Sequence, residues 1–240
     1  MPFRKLEAPS LKELFVRELR DDILSGALAV GVKLPPEREL AQRMGVSRAV
    51  INGGIRELVR TGFVEVVPRK GTFVVDYKRR GRMETLTAVI EYNNGHLDPV
   101  MLSSIYEVRT TIERHLAELA ARRSDPGDLA ELRGQLGTIA TTEDLKALAE
   151  ATAEFYHLLA IASGNIIYPL NIQAYRPLYV ALFRRVYERS TREERVRQLT
   201  TLCEHLEAGN AEAAASTVSA IIDWGRSIVM DGAEQSGVVT

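Results

Sequence analysis

The stretch Leu34-Pro-Pro-Glu-Arg-Glu-Leu-Ala-Gln-Arg-Met-Gly-Val-Ser-Arg48 constrains the fold more than any other part of this chain. It carries the signals for the start of one helix, its end, and the start of the next. Pro35 and Pro36 suit a first helical turn, where a missing N–H has no intrahelical acceptor to lose. Glu37 and Glu39 follow, where the positive end of the helix dipole favours carboxylates. Gly45 makes the turn, because a residue without Cβ accepts positive φ, and Ser47 is a good N-cap for the second helix. Leu40, Ala41 and Met44 should face inward on the first helix. Ile51, Ile55, Leu58 and Val59 recur at i, i+4, i+7 and i+8 on the second. Two short helices meeting at a glycine turn, with cations on the outward side of the second, predict a helix-turn-helix. The second helix of such a motif enters the major groove of DNA.

The flanks extend this reading. Upstream, Leu14, Leu19, Ile23 and Leu24 can share one face of a helix over about 11–28, closed by Gly26 and Gly31. Downstream of Gly62 the period changes to two, and Phe63–Val67 and Thr72–Val75 read as strands around Pro68-Arg69-Lys70-Gly71, a hairpin with a cationic tip. Three helices and a hairpin make a winged helix-turn-helix over residues 8–76, and the charged, glycine-containing stretch 77–84 reads as a linker. The rest is helical in pattern. Asp98-Pro99 opens a long helix to about Arg123, and further helices are expected at about 127–140, 143–162, 166–188, 191–208 and 210–230. The expected fold class is mainly α: an N-terminal winged helix-turn-helix followed by an all-α ligand-binding bundle over residues 85–232.

A net charge of −1 over 240 residues argues by itself against a nucleic-acid partner. The charge is unevenly spread, however. Residues 1–80 hold 16 Lys and Arg against 10 Asp and Glu, and the remainder hold 15 against 22. A basic front and an acidic rear fit a phosphate-binding head joined to a part that does not touch DNA. The single cysteine, Cys203, allows no intrachain disulfide, so a reducing cytoplasm is the expected setting. Met1-Pro-Phe-Arg-Lys turns charged at once, unlike a signal peptide. No apolar run approaches the ~18 residues of a membrane span, so no membrane partner is expected.

The ordered series Leu34-Pro-Pro-Glu-Arg-Glu-Leu-Ala, Gly45-Val-Ser-Arg, Ile55-Arg-Glu-Leu, Thr61-Gly-Phe-Val and Arg69-Lys-Gly-Thr-Phe-Val resembles the DNA-binding domain of the GntR family of bacterial repressors. Glu107-Val-Arg109 followed by Ile112-Glu113, Ala162-Ser-Gly-Asn165 with Ile167-Tyr168, and Pro177-Leu-Tyr179 resemble the ligand domain of its FadR branch, most of all the fatty-acid-responsive members. The resemblance implies a homodimer that reads a palindrome in double-stranded DNA. It implies a phosphate or base contact for Arg38, base-edge contacts for Ser47 and Arg48 at the groove-entering helix end, and minor-groove or phosphate contacts for Arg69, Lys70, Gly71 and Thr72 at the wing tip. An arginine on guanine supplies about 1–3 kcal/mol of discrimination. Charged hairpin tips are common, and Lys70 alone also fits a solvated charge. One position departs from the family: Asn52 stands where an arginine is usual, which implies an adenine contact. Gly53 and Gly54 follow, each costing roughly 1 kcal/mol in a helix interior relative to alanine, and imply a softer recognition helix.

Many members of the FadR branch hold a metal with one Asp and three His. Register from Ser163-Gly-Asn165 and from Gly209 puts those positions at Thr152, Tyr156, Leu199 and Ile221, which do not form a zinc ligand set. Glu154 and His157, one or two residues out of register, leave a shifted site open. No metal and no other cofactor is expected. An apolar cavity in place of the metal suits a chain that gains about 0.8 kcal/mol per buried CH₂. The resemblance to the fatty-acid-responsive members then implies an acyl-CoA or related lipid as the effector. A second reading gives the cavity to a small carboxylic acid clamped by Arg109. The candidate effector-binding set is Arg109, Tyr156, Tyr179, Leu199, Ile221 and Gly225. Arg109 also fits an ion pair with Glu113 at i+4, and Tyr156 and Tyr179 also fit plain core. Enzymatic activity is not expected: there is no paired acid and base, no activated nucleophile and no glycine-rich phosphate loop.

Overall fold

A computed structural model describes residues 9–91 and 99–235. The chain divides into two compact units, Met1–His96 and Leu97–Thr240.

In the first unit, α1 (Leu11–Ser25) opens on a capping box. Ser10 Oγ accepts from the Glu13 N–H, and the Glu13 carboxylate accepts from the Ser10 N–H at 2.7 Å. The helix buries Phe15, Leu19 and Ile23. Leu14, expected inside, is 37% exposed, because the buried stripe is set by Phe15 one residue on. In α2 (Glu37–Met44), Pro36 is the cap rather than a helical residue, and Gly45 at φ 65° ends the helix. Leu40 and Ala41 are buried as expected, but Met44, at the helix end, is 37% exposed. In α3 (Arg48–Arg60), Ser47 Oγ accepts from the Val50 N–H at 3.3 Å.

The helix α3 runs unbroken through Gly53 and Gly54, and the second glycine has a packing reason. A Cβ at Gly54 would lie 2.2 Å from Cδ1 of Phe15, so α1 and α3 close on each other only without it. The wing consists of β1 (Val64–Val67) and β2 (Gly71–Val74), antiparallel, with Val64 opposite Val74 and Val67 opposite Gly71. The segment 31–34 adds an edge to it: the Leu34 N–H donates to the Thr72 carbonyl at 2.8 Å, and the Val74 N–H to the Val32 carbonyl at 2.9 Å.

The expected linker is largely structured. It holds α4 (Tyr77–Arg80), followed by α5 (Met83–Glu91). Ala88 belongs to the core formed by Phe15, Ile51, Leu58 and Phe63, and Tyr77 and Val89 pack against it. The Thr85 hydroxyl donates to the Thr61 carbonyl. The first unit therefore extends past residue 76, and α5, expected to open the rear bundle at 85, packs on the winged head.

The second unit is built from α6 (Pro99–Arg123), α7 (Pro126–Thr141), α8 (Leu145–Ala162), α9 (Tyr168–Ala174), α10 (Arg176–Tyr187), α11 (Arg192–Glu207) and α12 (Ala211–Gln235). The expected cap Asp98 lies outside the described residues. The single helix expected over 166–188 is two, meeting at Tyr175. Pro177 explains the break, since its ring would strike the carbonyl four residues back and it has no N–H to donate. The long helices α6 and α12 pack along each other, and α8 packs against α6, α7, α9 and α10. Ala149, Ala153 and Ala160 on α8 are buried, which lets its neighbours approach closely. Arg133 on α7 binds Glu207 on α11 through two bonds of 2.6 and 2.8 Å. The fold is mainly α, a winged helix-turn-helix followed by an all-α bundle.

Candidate functional site

The head presents its cations outward. Arg48 is the first residue of α3, Arg38 lies in the first turn of α2, Arg69 and Lys70 form the hairpin tip, and all four are exposed. None of the four has an ion-pair partner among the described residues, whereas Arg43 pairs with Glu39, Arg60 with Glu57 and Arg79 with Asp76. A hydrated, unpaired cation can meet a phosphate without first breaking an internal pair. Arg69 holds φ 63°, the left-handed region that favours glycine, in a turn closed by the Lys70 N–H to the Val67 carbonyl at 3.0 Å. That conformation costs on the order of 1 kcal/mol in a residue with a Cβ. Gly71, at φ 125°, lets Lys33 lie against the wing next to its tip, since a Cβ there would meet Lys33 Cε at 2.7 Å. Lys33 has no motif signature and was not legible in the sequence. Thr72 is half-buried, with its carbonyl taken by Leu34.

Asn52 differs from this set. It is half-buried, and its Nδ2 donates to Glu37 Oε1 at 3.1 Å and Oε2 at 3.3 Å. The pair ties α3 to the first turn of α2, so the adenine contact expected of Asn52 competes with an internal partner.

In the bundle, a pocket lies among α6, α8, α10, α11 and α12, and Arg109, Tyr156, Leu199, Ile221 and Gly225 all line it. Its free volume is about 30 Å³, room for one or two waters. Thr152 also lines it, so the four positions derived from the family's metal register converge here. One hydroxyl, one phenol and two aliphatic side chains do not fit a divalent metal. Glu154 is held by Arg176 at 2.7 Å, and neither it nor His157 reaches the pocket wall. No group of three or more His, Cys, Asp and Glu residues is arranged for a metal among the described residues.

Arg109 is buried and paired with Glu113 on its own helix, Nε to Oε1 at 2.6 Å and Nη2 to Oε2 at 3.1 Å. Tyr179 stands behind the wall and donates its hydroxyl to Glu113 Oε1 at 2.7 Å. The Arg109 guanidinium lies 4.9 to 5.9 Å from the ring centres of Tyr106, Tyr156, Tyr179 and Phe183. Burial alone would lower its pKa, but the Glu113 carboxylate overcomes this and raises it. The ion-pair reading of Arg109 is the observed one, and its charge is neutralised in place. The hydroxyls of Tyr106 and Tyr156 are buried without a partner among the described residues, and burial raises the pKa of both phenols.

A second inward cation, Arg195 on α11, also lines the pocket and is 9% exposed. Its Nη1 donates to the Ser190 carbonyl at 2.8 Å and to Ser190 Oγ at 3.2 Å, and the guanidinium lies 4.7 Å from the centre of the Tyr187 ring. Burial lowers its pKa, and no carboxylate pairs with it among the described residues. Tyr187 donates to Thr152 Oγ1 at 2.8 Å, and burial pushes its phenol up to about 12. In the run Arg192-Glu-Glu-Arg-Val-Arg197, Arg195 reads as part of a solvated charged face; nothing in the sequence distinguishes it.

A winged head with exposed cations on its recognition helix, followed in the chain by a bundle with a lined pocket, defines a ligand-responsive transcription regulator. The chain belongs to the GntR family, in its FadR-like branch: residues 11–74 match the bacterial regulatory proteins, gntR family, and residues 104–223 match the FCD domain. It is 32% identical over 180 residues to the HTH-type transcriptional regulator Mce2R of Mycobacterium tuberculosis, covering 75% of this chain and 74% of that one. It is 28% identical over 188 residues to the galactonate operon transcriptional repressor of Escherichia coli, covering 78% of this chain and 80% of the repressor. It is also 28% identical over 149 residues to the fatty acid metabolism regulator protein of a Shewanella species, covering 62% and 60%. The family and these relatives are transcription regulators and not enzymes. No helix among the described residues is long and apolar enough to cross a membrane.

Proposed function

We propose that this chain is a cytoplasmic, homodimeric repressor that grips a short palindromic operator with two winged heads and changes affinity when an organic acid occupies its bundle pocket. The observation that carries the DNA-binding assignment is Arg48: exposed, free of ion pairing among the described residues, and set beside the Ser47 cap at the leading end of α3. Ser47 and Arg48 read base edges, Arg38 meets phosphate or base, and Arg69, Lys70, Gly71 and Thr72 follow the wing into the adjacent groove. Asn52 joins the set by exchanging its Glu37 partner for an adenine edge. Two-fold symmetry of the protein dictates the palindrome.

For the effector, the mixed polar lining favours a small carboxylic acid, which needs a smaller opening of the bundle than a lipid does, since the free volume of about 30 Å³ holds only water. The similarity to a repressor named for galactonate, a sugar acid, is in keeping with this. The acyl-CoA reading draws support from the apolar wall of Phe183, Val186, Leu199 and Ile222 and from the similarity to a fatty acid metabolism regulator. It requires a much wider opening of the bundle, since pockets for sizeable ligands enclose roughly 300–1,000 Å³. In either reading the ligand must bind one arrangement of the heads better than the other, or it shifts nothing. A melting-temperature screen of organic acids against acyl-CoAs, followed by operator-binding titrations with each hit, separates them. Stabilisation by acids with a change in operator affinity supports the first reading. Stabilisation by acyl-CoAs alone replaces it with the second, and indifference to both removes ligand control.

A further inference from the structure

We infer that Arg195, and not Arg109, is the anchor for the effector's carboxylate, so that the ligand enters the pocket with its charged end inward, between Arg195 and the hydroxyl of Tyr156. This rests on the reading of the bundle pocket as the effector site.

Three observations converge. Arg109 faces the pocket but already has a carboxylate, Glu113, in two-bond contact, and that carboxylate is itself held by Tyr179. An incoming anion would gain little from a cation so matched, and it would be repelled by Glu113. Arg195 is more than nine-tenths buried, lines the same pocket, and has no carboxylate partner among the described residues. Only its Nη1 is engaged, by Ser190, which leaves donors of a planar fork able to take both oxygens of a carboxylate. Finally, Tyr156 is a lining residue of the pocket, and its hydroxyl is buried without a partner among the described residues. A buried donor left unsatisfied is costly, and an acceptor oxygen delivered by a ligand would satisfy it. A water in the roughly 30 Å³ of free space can serve that hydroxyl in the resting protein, but it cannot neutralise Arg195.

The class of ligand follows from the charge. A free carboxylate supplies the anion at the end that reaches Arg195. A thioester does not, because an acyl-CoA inserted chain first carries its charges at the far end and would set hydrocarbon against a buried cation. The carboxylate can belong to a short organic acid or to a fatty acid.

The test measures melting of the full-length chain against sodium propionate, sodium octanoate, 1-octanol and octanoyl-CoA, in wild type and in Arg195→Met, Arg195→Lys and Ile221→Trp. The expected result is that a carboxylate stabilises the wild type while octanol and octanoyl-CoA do not. Propionate alone points to a short acid, and octanoate alone to a fatty acid. Arg195→Met should weaken carboxylate binding about 10- to 100-fold, as loss of a charge-assisted contact does, while its ligand-free form melts no lower than wild type. Arg195→Lys should recover part of the affinity. If Arg195→Met binds the carboxylate as wild type does, the anchor assignment is wrong. If no carboxylate stabilises the wild type, or if octanoyl-CoA does so and octanoate does not, it is equally wrong. The pocket-filling Ile221→Trp tests the underlying reading separately. A carboxylate shift that survives in it puts the ligand elsewhere, whatever Arg195 does.

Discussion

Arg109 and Arg195 line one pocket with opposite electrostatics, and the difference lies in what each faces. Arg109 has Glu113 within 2.6 Å in a buried site. Removing one member of such a pair leaves an uncompensated buried charge. Glu113→Ala should therefore destabilise the bundle by about 3–5 kcal/mol, measured by urea unfolding, whereas the double replacement Arg109→Met with Glu113→Leu should lose far less. Equal losses in the two variants would contradict the account of the pair. At the wing, Arg69→Gly removes a side chain from a left-handed position. It should leave stability unchanged or raise it by up to about 1 kcal/mol, weaken operator binding, and lower the slope of log affinity against log salt by about 1. The i, i+4 spacing of Arg109 and Glu113 is legible in the sequence, but their burial is not. Arg195 is illegible altogether, because periodicity cannot tell one arginine in a charged run from the next when only one turns inward.

At the scale of elements, punctuation made the head readable. The prolines before α2, the glycine after it and the serine before α3 each fix a backbone conformation locally, so the helix-turn-helix emerges at nearly its observed bounds. Contacts between distant segments could not be read in this way. The Glu37–Asn52 tie spans 15 residues, and the packing of α5 on the head depends on Ala88 and Val89 meeting a core formed by other segments. The glycine pair in α3 is a similar case. Helix propensity alone makes both Gly53→Ala and Gly54→Ala stabilising by roughly 1 kcal/mol. The space around them differs: a Cβ at Gly53 would meet only the flexible Lys12 stem at 3.4 Å, while one at Gly54 would strike the Phe15 ring. Gly53→Ala should be neutral or stabilising. Gly54→Ala should destabilise by about 1–3 kcal/mol, as overpacking does. A thermal melt showing Gly54→Ala more stable than wild type would contradict the close approach of α1 and α3.

For the whole molecule, the pH dependence of stability follows from groups spread over both units. Hydrogen bonds from Ser10 and Thr191 hold the carboxyls of Glu13 and Glu194 below their ordinary range, and Arg60 and Arg133 do the same for Glu57 and Glu207. A lowered folded-state pKa means the unfolded chain binds more protons in acid. Their contribution is thus complete above the ordinary carboxylate range and is lost as pH falls through the folded values. Burial pushes the Cys203 thiol from 9.0 up to about 11, so the unfolded chain releases that proton first and stability should fall again above about pH 9. Denaturant midpoints measured across pH should show a plateau bounded on both sides; a rise in stability toward acid would contradict it. The basic head and acidic rear, visible already in the sequence, set the division of labour that the two units carry out. The most direct measurement is selection of binding sites from random duplex DNA by the full-length chain, repeated with Arg48→Ala. The account predicts a short two-fold-symmetric site for the wild type and, for the variant, discrimination at one base pair per half-site reduced by about 1–3 kcal/mol. An asymmetric or absent consensus, or one that Arg48→Ala leaves untouched, would contradict it.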